Sequence, residues 1–577
     1  MSEAAPPSAI GAGLTRRGRT IALWVVLLAF FMDLLDTTIV NVAIPSIQTG
    51  LGASYSSIQW IIAGYALTFA LFLITGGRLG DIFGYRRLFL VGIAGFIVAS
   101  LWSGLAPSTG ALIEARLLQG FFAAMMVPQI LSLIQIMYTN SEERAGVSAF
   151  YGALAGVATV GGPIIGALLI AGNVFGFGWR TIFLVNLPVG IFAIILGWLY
   201  LPDAKSPHPL KLDLAGVALV VLAMLLLMYP LIQGRELDWP VWTFVSMAAS
   251  VPVFVLFAWS QVWKQKRDGS PLVVPEFFTR RSFVAGVALS GSFFAIVTGY
   301  FLIFTLFLQI GLGYSALKAG LTGIPFSLGV SVAAGISGPV LVPRFGRNII
   351  TAGPLTMAIG FVLFIWTINH FGGAVTPYEL IPAQLISGLG MGFVVASVYP
   401  FILAEVPIKD AGSASGVINA IGQIGGAIGV AVIGVIFFGL IASQSTTSVD
   451  SVRAELTADL TAAGVPAFAQ PTIVTSFETC FHDRASAKDF GDVPQSCKDA
   501  QAAQASFSAS APAMAEAAGA AVGKHALEAN QRNFTASITG ALMWEIGALI
   551  FVFFLSFLLP RRPRSEKELA EAGVAVA

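Results

Sequence analysis

The sequence predicts an all-α polytopic membrane protein with 14 transmembrane helices and both termini in the cytoplasm. Three observations predict this fold class. The 577 residues are 56% hydrophobic and 11% charged, whereas soluble domains carry about 25% charged residues. Fourteen apolar runs are long enough to cross a bilayer as helices of roughly 20 residues. Lys and Arg are concentrated in alternate connecting segments, as in membrane proteins with a defined orientation.

Short segments connect the predicted spans, except for one long segment before the last. The spans lie at about 21–45, 58–77, 88–105, 111–138, 145–171, 180–201, 212–233, 241–263, 282–310, 317–342, 348–369, 379–404, 411–442 and 537–559. An even number places both termini on one side. That side holds 21 Lys and Arg residues, whereas the short loops of the other side hold three, so it is predicted to be the cytoplasm. We expect the lipid bilayer, and no nucleic acid, among the partners.

Three short echoes in the sequence indicate an internal repeat. They occur in the same order at offsets of 262 to 268 residues, and they pair 81–86 with 343–348, 115–120 with 383–388, and 144–146 with 410–412. Such offsets predict duplication of a six-helix unit, with two further helices inserted between the copies. Parallel repeats of this kind place a transport site near the midplane between the halves.

The duplication also predicts the domain boundaries. They are a cytoplasmic tail at 1–20, an N-terminal six-helix bundle at 21–201, two inserted helices at 212–263, a C-terminal six-helix bundle at 282–442 and 537–559, an extracytoplasmic loop at 443–536, and a cytoplasmic tail at 560–577. The long loop contains both cysteines, Cys480 and Cys497. Their pairing is open, because the sequence does not set their separation. We expect a semi-ordered cap, helical at 500–529, in preference to a module that docks a partner.

Two carboxyl groups lie in the first predicted span. Burying an ionised Asp at bilayer depth costs at least about 2.5–3.5 kcal/mol, so such residues face a bundle interior or an aqueous cavity and are typical of transport or proton-relay sites. Asp33 and Asp36 share one helix face, which Thr37 and Asn41 continue. We predict proton coupling at Asp36, with Asp33 as the second candidate, and a substrate cavity at Thr37 and Asn41. The alternative is an Asp that caps a neighbouring helix.

Two more charged residues within predicted spans are candidates for the site. Arg116 is the one Lys or Arg that lies beyond the first two residues of a span, and it is predicted to pair with the acids of the first span. The alternative is that its side chain reaches the outer membrane surface. Glu545, in the last span, is a further candidate for proton coupling, or else an interfacial residue. Gln119, one turn after Arg116, is assigned to the substrate cavity.

Two glycine-rich motifs accompany these charges. The segment between the second and third spans combines glycines with charges that can form ion pairs at a helix end, and we predict that it acts as a cytoplasmic gate through Gly77, Asp81, Gly84, Arg86 and Arg87. The fifth span carries small residues that allow close helix packing and a proline that bends the helix, namely Gly156, Gly162, Pro163 and Gly166. Alone, this second motif indicates packing.

The sequence contains no pattern for a metal site, a cofactor or a phosphate-binding loop. Its four histidines are scattered, and no Gly-rich loop ends in Lys-Ser or Lys-Thr. This argues against ATP-driven transport, and no metal or other cofactor is expected. An enzyme is also disfavoured, because no nucleophile, base and orienting group recur together.

These motifs together resemble the major facilitator superfamily, and within it the fourteen-helix drug:proton antiporter branch of the EmrB/QacA type. The segment 35–45 looks like the first-helix signature of that branch, 77–87 like the superfamily loop motif, and 156–166 like the antiporter motif. Arg116 with Gln119 and Gly120 looks like the fourth-helix motif. The resemblance implies proton-coupled export by rocking of two bundles, with Asp36 and Arg116 in the coupling centre. Asp33 and the long loop depart from the pattern of the branch.

The leading hypothesis is therefore an antiporter of the plasma membrane that exchanges protons for amphipathic, cationic small molecules. The membrane potential supplies about 2.3 kcal/mol per charge per 100 mV, so one inward proton can drive appreciable export. The sequence leaves open a dedicated exporter of one metabolite, antibiotic or lipid-like compound. A membrane subunit that docks an extracytoplasmic adaptor through its long loop is the alternative from another class.

Overall fold

Helices form nearly all of the chain in a computed structural model, which describes residues 15–138, 141–206, 210–406, 411–487 and 493–562. No strand occurs among these residues. The helices are α1 Arg16–Leu51, α2 Tyr55–Phe83, α3 Tyr85–Leu105, α4 Thr109–Met137, α5 Ser141–Gly172, α6 Gly178–Tyr200, α7 Leu214–Gln233, α8 Val241–Asp268, α9 Arg281–Gly311, α10 Ala316–Ile336, α11 Asn348–Phe371, α12 Pro377–Ile402, α13 Ala411–Ala462, α14 Gln470–Ser486, α15 Gln495–Ser510 and α16 Pro512–Ser556. Short helical turns interrupt or connect several of them.

Thirteen of the described helices are long and apolar enough to cross a membrane. The others are α14, α15 and α5, and in α5 the described apolar stretch is Gly161–Gly172. Because α5 occupies the place of the fifth predicted span, the structure agrees with the expected all-helical membrane fold. The count of 14 spans and the location of the termini remain predictions.

Local sequence signals explain where several helices begin and end. The Thr15 hydroxyl accepts a hydrogen bond from the backbone N–H of Gly18 at 3.1 Å and so caps α1. Ser54 and Ser108 cap α2 and α4 in the same way, since a hydroxyl satisfies one of the free N–H groups of the first turn. Gly84 separates α2 from α3 with φ at 101°, a conformation that favours glycine.

The helix packing repeats between the two halves of the chain. In the first half α2 and α3 both pack on α4, α1 packs on α5 and α6, and α3 packs on α6. In the second half α10 and α11 both pack on α12, α9 packs on α13 and α16, and α11 packs on α16. The last helix therefore occupies in its half the place that α6 occupies in the first. The two inserted helices pack on each other, and α7 also contacts α2 and α13.

The halves are joined at the face that carries the α1–α2 turn, which we call the predicted outer face. Towards this face, α1 from Ile39 to Ile47 shares one hydrophobic core with α9, α11, α12 and α13. Towards the other face, α1 from Ala22 to Met32 belongs to a second core with α2, α3, α4 and α6, which also includes Ala420 of α13. Across the halves, Gln59 Nε2 donates to the carbonyl oxygen of Val430 at 3.2 Å. The outer ends of the two halves are thus held together.

Residues 443–536, which we call the cap, are mostly helical where the structure describes them. The helix α13 continues past the predicted boundary at 442 as far as Ala462, and α16 begins at Pro512 instead of 537. With α14 and α15 they enclose a small apolar core of their own. Cys480 and Cys497 form a disulfide between α14 and α15, with 4.6 Å between their Cα atoms. The segment expected to be semi-ordered is therefore a folded helical unit, because its alanines and valines form one apolar face.

Candidate functional site

The centre of the candidate site is an ion pair between α1 and α4. Arg116 Nη1 contacts Asp36 Oδ2, and both side chains are almost completely buried. The alternative in which Arg116 extends to the membrane surface is therefore wrong. Its guanidinium also donates to the carbonyl oxygen of Ile61 at 3.3 Å. A buried charge pair of this kind depends on both partners, since either one alone would be left uncompensated.

Three polar side chains complete the surroundings of the Asp36 carboxylate. Oδ1 accepts from Gln119 Nε2 at 2.8 Å and from Asn186 Nδ2 at 3.0 Å. The Ser100 hydroxyl accepts from Asn186 at 3.0 Å and donates to the carbonyl oxygen of Phe183 at 2.9 Å. All three lie on different helices, α4, α6 and α3. The carboxylate thus accepts hydrogen bonds from side chains of α4 and α6.

The second acid lies one turn away with a different partner. Asp33 is 4% exposed, and its Oδ1 accepts a hydrogen bond from the Tyr65 hydroxyl on α2. The Tyr65 ring lies under the guanidinium of Arg116, with 4.4 Å from Cζ to the ring centroid. The Arg116 guanidinium is thus close to two carboxyl groups. It contacts Asp36 directly, and the Tyr65 side chain lies between it and Asp33. Both acids of the first span lie in the bundle interior, as expected. Neither of them caps a helix among the described residues.

Glycine allows the helices of this cluster to approach each other. A Cβ atom at Gly120 would overlap the carbonyl oxygen of Tyr65 on α2. A Cβ atom at Gly64 would lie 3.2 Å from the Leu117 side chain on α4. The absence of side chains at these positions brings the backbones of α2 and α4 together, which is the usual packing solution inside membranes. Tyr65 and Arg116 can meet because of this contact.

A narrow cavity lies beside the cluster, between the two halves of the chain. It has a volume of about 50 Å³ and is lined by residues of α1, α5, α9 and α10, among them Thr38, Asn41, Pro163, Phe301, Thr305 and Gln309. Gln309 Nε2 on α9 donates to the carbonyl oxygen of Val42 on α1 at 3.0 Å. Drug-sized ligands need roughly 300–1,000 Å³, so the halves must separate here before such a ligand fits.

The three residues assigned to the substrate cavity have different locations. Asn41 lines the cavity, half-buried. The Thr37 hydroxyl donates to the carbonyl oxygen of Leu34 in its own helix at 2.7 Å. Gln119 is fully buried and bonded to Asp36, so the structure places it in the charged cluster. Thr38, next to Thr37, is the hydroxyl residue of α1 that lines the cavity.

The antiporter motif brings α5 close to α1. A Cβ atom at Gly162 would overlap the Thr38 hydroxyl, and one at Gly166 would lie 2.6 Å from Ile39 Cγ1. By contrast, a Cβ atom at the adjacent Gly161 would have its first contact at 3.7 Å. Gly162 and Gly166 therefore provide the close packing predicted from their spacing.

The proline of this motif lies at the boundary between the halves. Pro163 lines the cavity, and its carbonyl oxygen is 2.9 Å from the position of a Cβ atom at Gly320 on α10. The motif thus touches α1 on one side and α10 of the other half on the other. Gly156 belongs to the same helix, but its surroundings lie outside the described residues.

The glycines and the acid of the loop motif shape the turn from α2 to α3. Gly84 occupies the turn itself, and Asp81 Oδ1 accepts from the Tyr85 hydroxyl at 2.8 Å. Gly77, in the last part of α2, has room for a side chain, because a Cβ atom there would lie 3.7 Å from Pro128. Among these three residues only Gly84 meets a strict backbone requirement.

The arginines of the loop motif contact the end of α6. Arg86 donates to the carbonyl oxygen of Trp198 and lies over its ring, 5.3 Å from the centroid. Arg87 Nη2 lies 3.7 Å from Asp203 Oδ2, with both side chains mainly exposed. Exposed pairs contribute little to stability, about 0–1 kcal/mol. The predicted gate residues thus bind within the first half of the chain.

Arg78, which the motif analysis did not select, connects this region with the inserted helices. Its Nη1 donates to the carbonyl oxygens of Lys211 and Ser270, both at 3.0 Å, and its Nη2 donates to that of Pro271. The residue is 6% exposed. Three carbonyl contacts from one buried guanidinium attach the segments before α7 and after α8 to the end of α2.

Glu545 is separate from this cluster. It lies on α16 in the second half and is 4% exposed, so its side chain is buried within the protein. Neither carboxylate oxygen has a hydrogen-bond partner among the described residues. Three of the four predicted coupling residues, Asp36, Asp33 and Arg116, therefore lie together. The fourth, Glu545, lies apart from them in the other half of the chain.

A small group of charged side chains lies in the cap. The atoms of Glu455, His525 and Glu528 that could bind a metal ion are within 4.8 Å of one another. Asp459 Oδ2 accepts from Lys524 Nζ at 2.8 Å and lies 3.0 Å from His525 Nε2, and Glu528 pairs with an arginine one turn further along α16. The carboxylates of Asp459 and Glu528 thus already have cationic side chains as partners. These residues form an ion-pair network between α13 and α16.

Comparison with known proteins agrees with this geometry. The family model of the Major Facilitator Superfamily matches residues 26–430. The chain belongs to this superfamily. Its thirteen apolar spans among the described residues and its superfamily membership make it a multi-pass protein of the cell membrane. Its substrate is therefore a small molecule, and its surroundings are lipid.

Relatives within the superfamily are named for antibiotic transport and resistance. A probable actinorhodin transporter of Streptomyces coelicolor is 40% identical over 549 residues, covering 95% of this chain and 93% of that protein. A puromycin resistance protein of Streptomyces alboniger is 35% identical over 73% of this chain and 82% of the relative. A tetracenomycin C resistance and export protein of Streptomyces glaucescens is 34% identical over 73% and 76%. These relatives support the resemblance to the drug-exporting branch.

Solved superfamily structures share the fold. A bacterial homologue of the human lysosomal transporter Spinster, in an inward-facing and unoccupied conformation, has a TM-score of 0.60 at 16% identity and covers 96% of this chain and 100% of that one. A peptide transporter POT in complex with sulfate has a TM-score of 0.56 at 16% identity, covering 75% and 92%. At this identity the likeness concerns the fold alone.

Three members of the charged cluster are missing from the sequence prediction. Tyr65, Ser100 and Asn186 are polar residues within apolar spans, as Asp36 and Arg116 are, but they carry no charge. Polar side chains in the membrane interior face protein or cavities, and that rule would have selected them as candidates. Their partners in the cluster are visible only once the helices are packed.

Proposed function

We propose that the protein is a proton-coupled antiporter that exports amphipathic, cationic compounds from the cytoplasm, and that it has no enzymatic activity. The carrying observation is the buried cluster in which one guanidinium, Arg116, serves the two carboxyl groups of Asp33 and Asp36. Two acids with one cation leave room for one exchangeable proton, because close carboxylates disfavour double ionisation. The relatives named for antibiotic export support the transport direction.

In this mechanism the proton and the cargo act on the same helix in turn. Proton binding at the cluster weakens the pair of Asp36 with Arg116 and releases α1 from α4. The other end of α1 lines the cavity through Asn41 and Thr38. A change in the position of α1 therefore alters the cavity and its contacts with α9, such as that from Gln309 to Val42. This links protonation to the joining or separation of the halves.

The present arrangement corresponds to the state closed at the outer face. The shared core and the contact from Gln59 to Val430 join the halves there, under the orientation in which both termini and the loop motif are cytoplasmic. Export requires these contacts to open and new ones to form at the cytoplasmic face. In this scheme the loop motif around Asp81 belongs to the cytoplasmic gate, and Arg78 attaches the inserted helices to it.

The test measures proton movement in proteoliposomes with an enclosed pH-sensitive dye. Ethidium, a lipophilic cation, is added to vesicles with wild type, Asp36→Asn or the surface control Asp499→Asn. We expect a substrate-triggered pH change with wild type and the control, and none with Asp36→Asn. Full coupling in a folded Asp36→Asn protein would exclude this cluster as the coupling site, and no response of wild type to a panel of cations would exclude the cationic cargo.

A second candidate is export of one dedicated antibiotic or other metabolite. The specific observation is the match to the probable actinorhodin transporter, which covers 95% of this chain and so includes most of the cap, whereas other relatives match 70–78% of it. A shared extracytoplasmic unit favours a specialised exporter over a general one. Transport of a single compound from a broad panel, with no competition by the others, would support this candidate.

A role for the cap in docking an extracytoplasmic adaptor is a further proposal. The cap has its own apolar core and a disulfide, which a binding unit needs for a stable surface. Copurification from membranes with the full chain, and its loss on replacing 465–510 by a short linker, would support docking. Equal copurification with both proteins would exclude it.

A further inference from the structure

Glu545 is a buried acid that the mechanism above does not use. The side chain is 4% exposed, and both carboxylate oxygens lack a hydrogen-bond partner among the described residues. An ionised carboxylate without partners in an apolar environment is very unfavourable, and such a group binds a proton or a cation instead. The position therefore requires an occupant that the polypeptide does not supply.

The internal repeat relates this position to the charged cluster of the first half. The echo of 115–120 in 383–388 places Gln384 on α12 where Arg116 stands on α4. The hydroxyl of Tyr300 on α9 donates to Gln384 Oε1 at 2.8 Å. Tyr300 follows Asp36 by 264 residues, within the offsets of the repeat. The pair of Tyr300 with Gln384 thus repeats the pair of Asp36 with Arg116 in uncharged form.

The last helix supplies the third member of this second cluster. As described above, α16 packs on α9 and α11 as α6 packs on α1 and α3. Asn186 on α6 donates to Asp36, and Glu545 on α16 lies beside Gly299 on α9, the residue before Tyr300. The acid thus lies on the first helix in the N-terminal half and on the last helix in the C-terminal half. Each half keeps one acidic centre in a corresponding place.

The immediate surroundings of Glu545 leave space for the carboxyl group but no charge to balance it. A Cβ atom at Gly299 on α9 would lie 3.1 Å from Glu545 Oε1, and 2.9 Å from the Ile433 side chain on α13. The titratable neighbour is Tyr300 on α9. Within the part of the chain that the structure describes, no side chain forms a hydrogen bond with this carboxyl group. A metal ion would need further ligands here, whereas a proton needs none.

We propose that Glu545 is a second proton-binding site, which is the counterpart in the C-terminal half of the Asp36 centre and exchanges its proton during transport. The proton is taken up by one carboxylate oxygen and released to water as the halves reorient. The two centres then lie in different halves, so each can exchange its proton in a different conformation. The exchange step rests on the proposed antiport function, whereas the bound proton does not.

Infrared spectroscopy of the purified protein in lipid tests the bound proton without transport. The C=O stretching band of a protonated carboxyl group, identified by its shift in D₂O, is recorded at neutral pH for wild type, Glu545→Gln and the exposed control Glu276→Gln. We expect this band to lose intensity in Glu545→Gln alone, with an unchanged melting temperature because Gln resembles the neutral acid in shape. Identical bands in all three proteins would overturn the proposal.

The exchange step is tested by the number of protons moved per substrate in the proteoliposome assay. We expect Glu545→Gln to move fewer protons per ethidium than wild type or Glu276→Gln, while Asp36→Asn abolishes coupling. An unchanged ratio in Glu545→Gln would overturn proton exchange at this site. If wild type itself moves no protons, the proposed antiport fails, and the infrared result still decides whether Glu545 holds a proton.

Discussion

The buried pair of Asp36 with Arg116 leads to an asymmetric prediction for its two single variants. Asp36→Asn leaves a guanidinium that is 1% exposed without its direct ion-pair partner. Arginine does not lose its proton in proteins, so the charge persists at every accessible pH. Removing one partner of a buried pair costs about 3–5 kcal/mol. The Tyr65 ring under the guanidinium offsets about 0.5–2 kcal/mol at most.

Arg116→Gln leaves the opposite charge, and its effect depends on pH. The uncompensated Asp36 carboxylate keeps its hydrogen bonds from Gln119 and Asn186, and it can take up a proton from solvent. We expect a loss of stability that is large at pH 8 and decreases towards pH 5, because acid neutralises the remaining charge. The double variant, Asp36→Asn with Arg116→Gln, removes both charges and should be more stable than Asp36→Asn alone.

Thermal unfolding in detergent, followed by intrinsic tryptophan fluorescence at pH 5 and pH 8, measures all four proteins of this cycle. We expect Asp36→Asn to melt at a lower temperature than wild type at both values. A melting temperature of Asp36→Asn equal to that of wild type would refute the reasoning. Losses that simply add in the double variant would do the same, since they would mean that the two charges do not interact.

Three further predictions follow from the packing. Gly162→Ala should lower stability by about 1–3 kcal/mol through overpacking against α1, while Gly161→Ala, which has room, should melt like wild type; equal melting of both variants would contradict the close contact. The variant Cys480→Ser with Cys497→Ser should destabilise the cap by about 3 kcal/mol, from the 17-residue separation of the cysteines, and unchanged resistance to limited proteolysis in the cap would disprove this. Arg78→Gln should cost about 1.5–3 kcal/mol by loss of charged hydrogen bonds, and an unshifted melting curve would show that these contacts are dispensable.

The charged cluster shows which site residues sequence reasoning can reach. Asp33, Asp36 and Arg116 were found because a charge within an apolar span is expensive and therefore informative. Tyr65 and Asn186 were not found, because an uncharged polar residue in a span has many harmless explanations. Asn186 contacts Asp36 across 150 positions of the chain, and no local pattern indicates such a contact.

The cap is a second region in which the local sequence pattern did not indicate the tertiary contacts. Its composition predicted a helix at 500–529 but a loosely ordered segment overall. The structure instead continues α13 to Ala462 and begins α16 at Pro512, because apolar residues such as Val452 and Leu456 pack together between helices. Their spacing follows one helix face, but some of their partners, such as Ala518 on α16, come from a distant part of the chain.

The sequence by itself determined the class of the protein, its helical spans, its duplicated halves and the buried charges, because each of these is set by hydrophobicity, length or local repetition. The tertiary structure decided which charges pair, which glycines carry close contacts and where Glu545 lies. These depend on the approach of helices that are distant in sequence, and glycine or a bulky side chain at one contact determines the outcome. Thus Gly162 and Gly161 are neighbours in the sequence, but only the first is packed against Thr38.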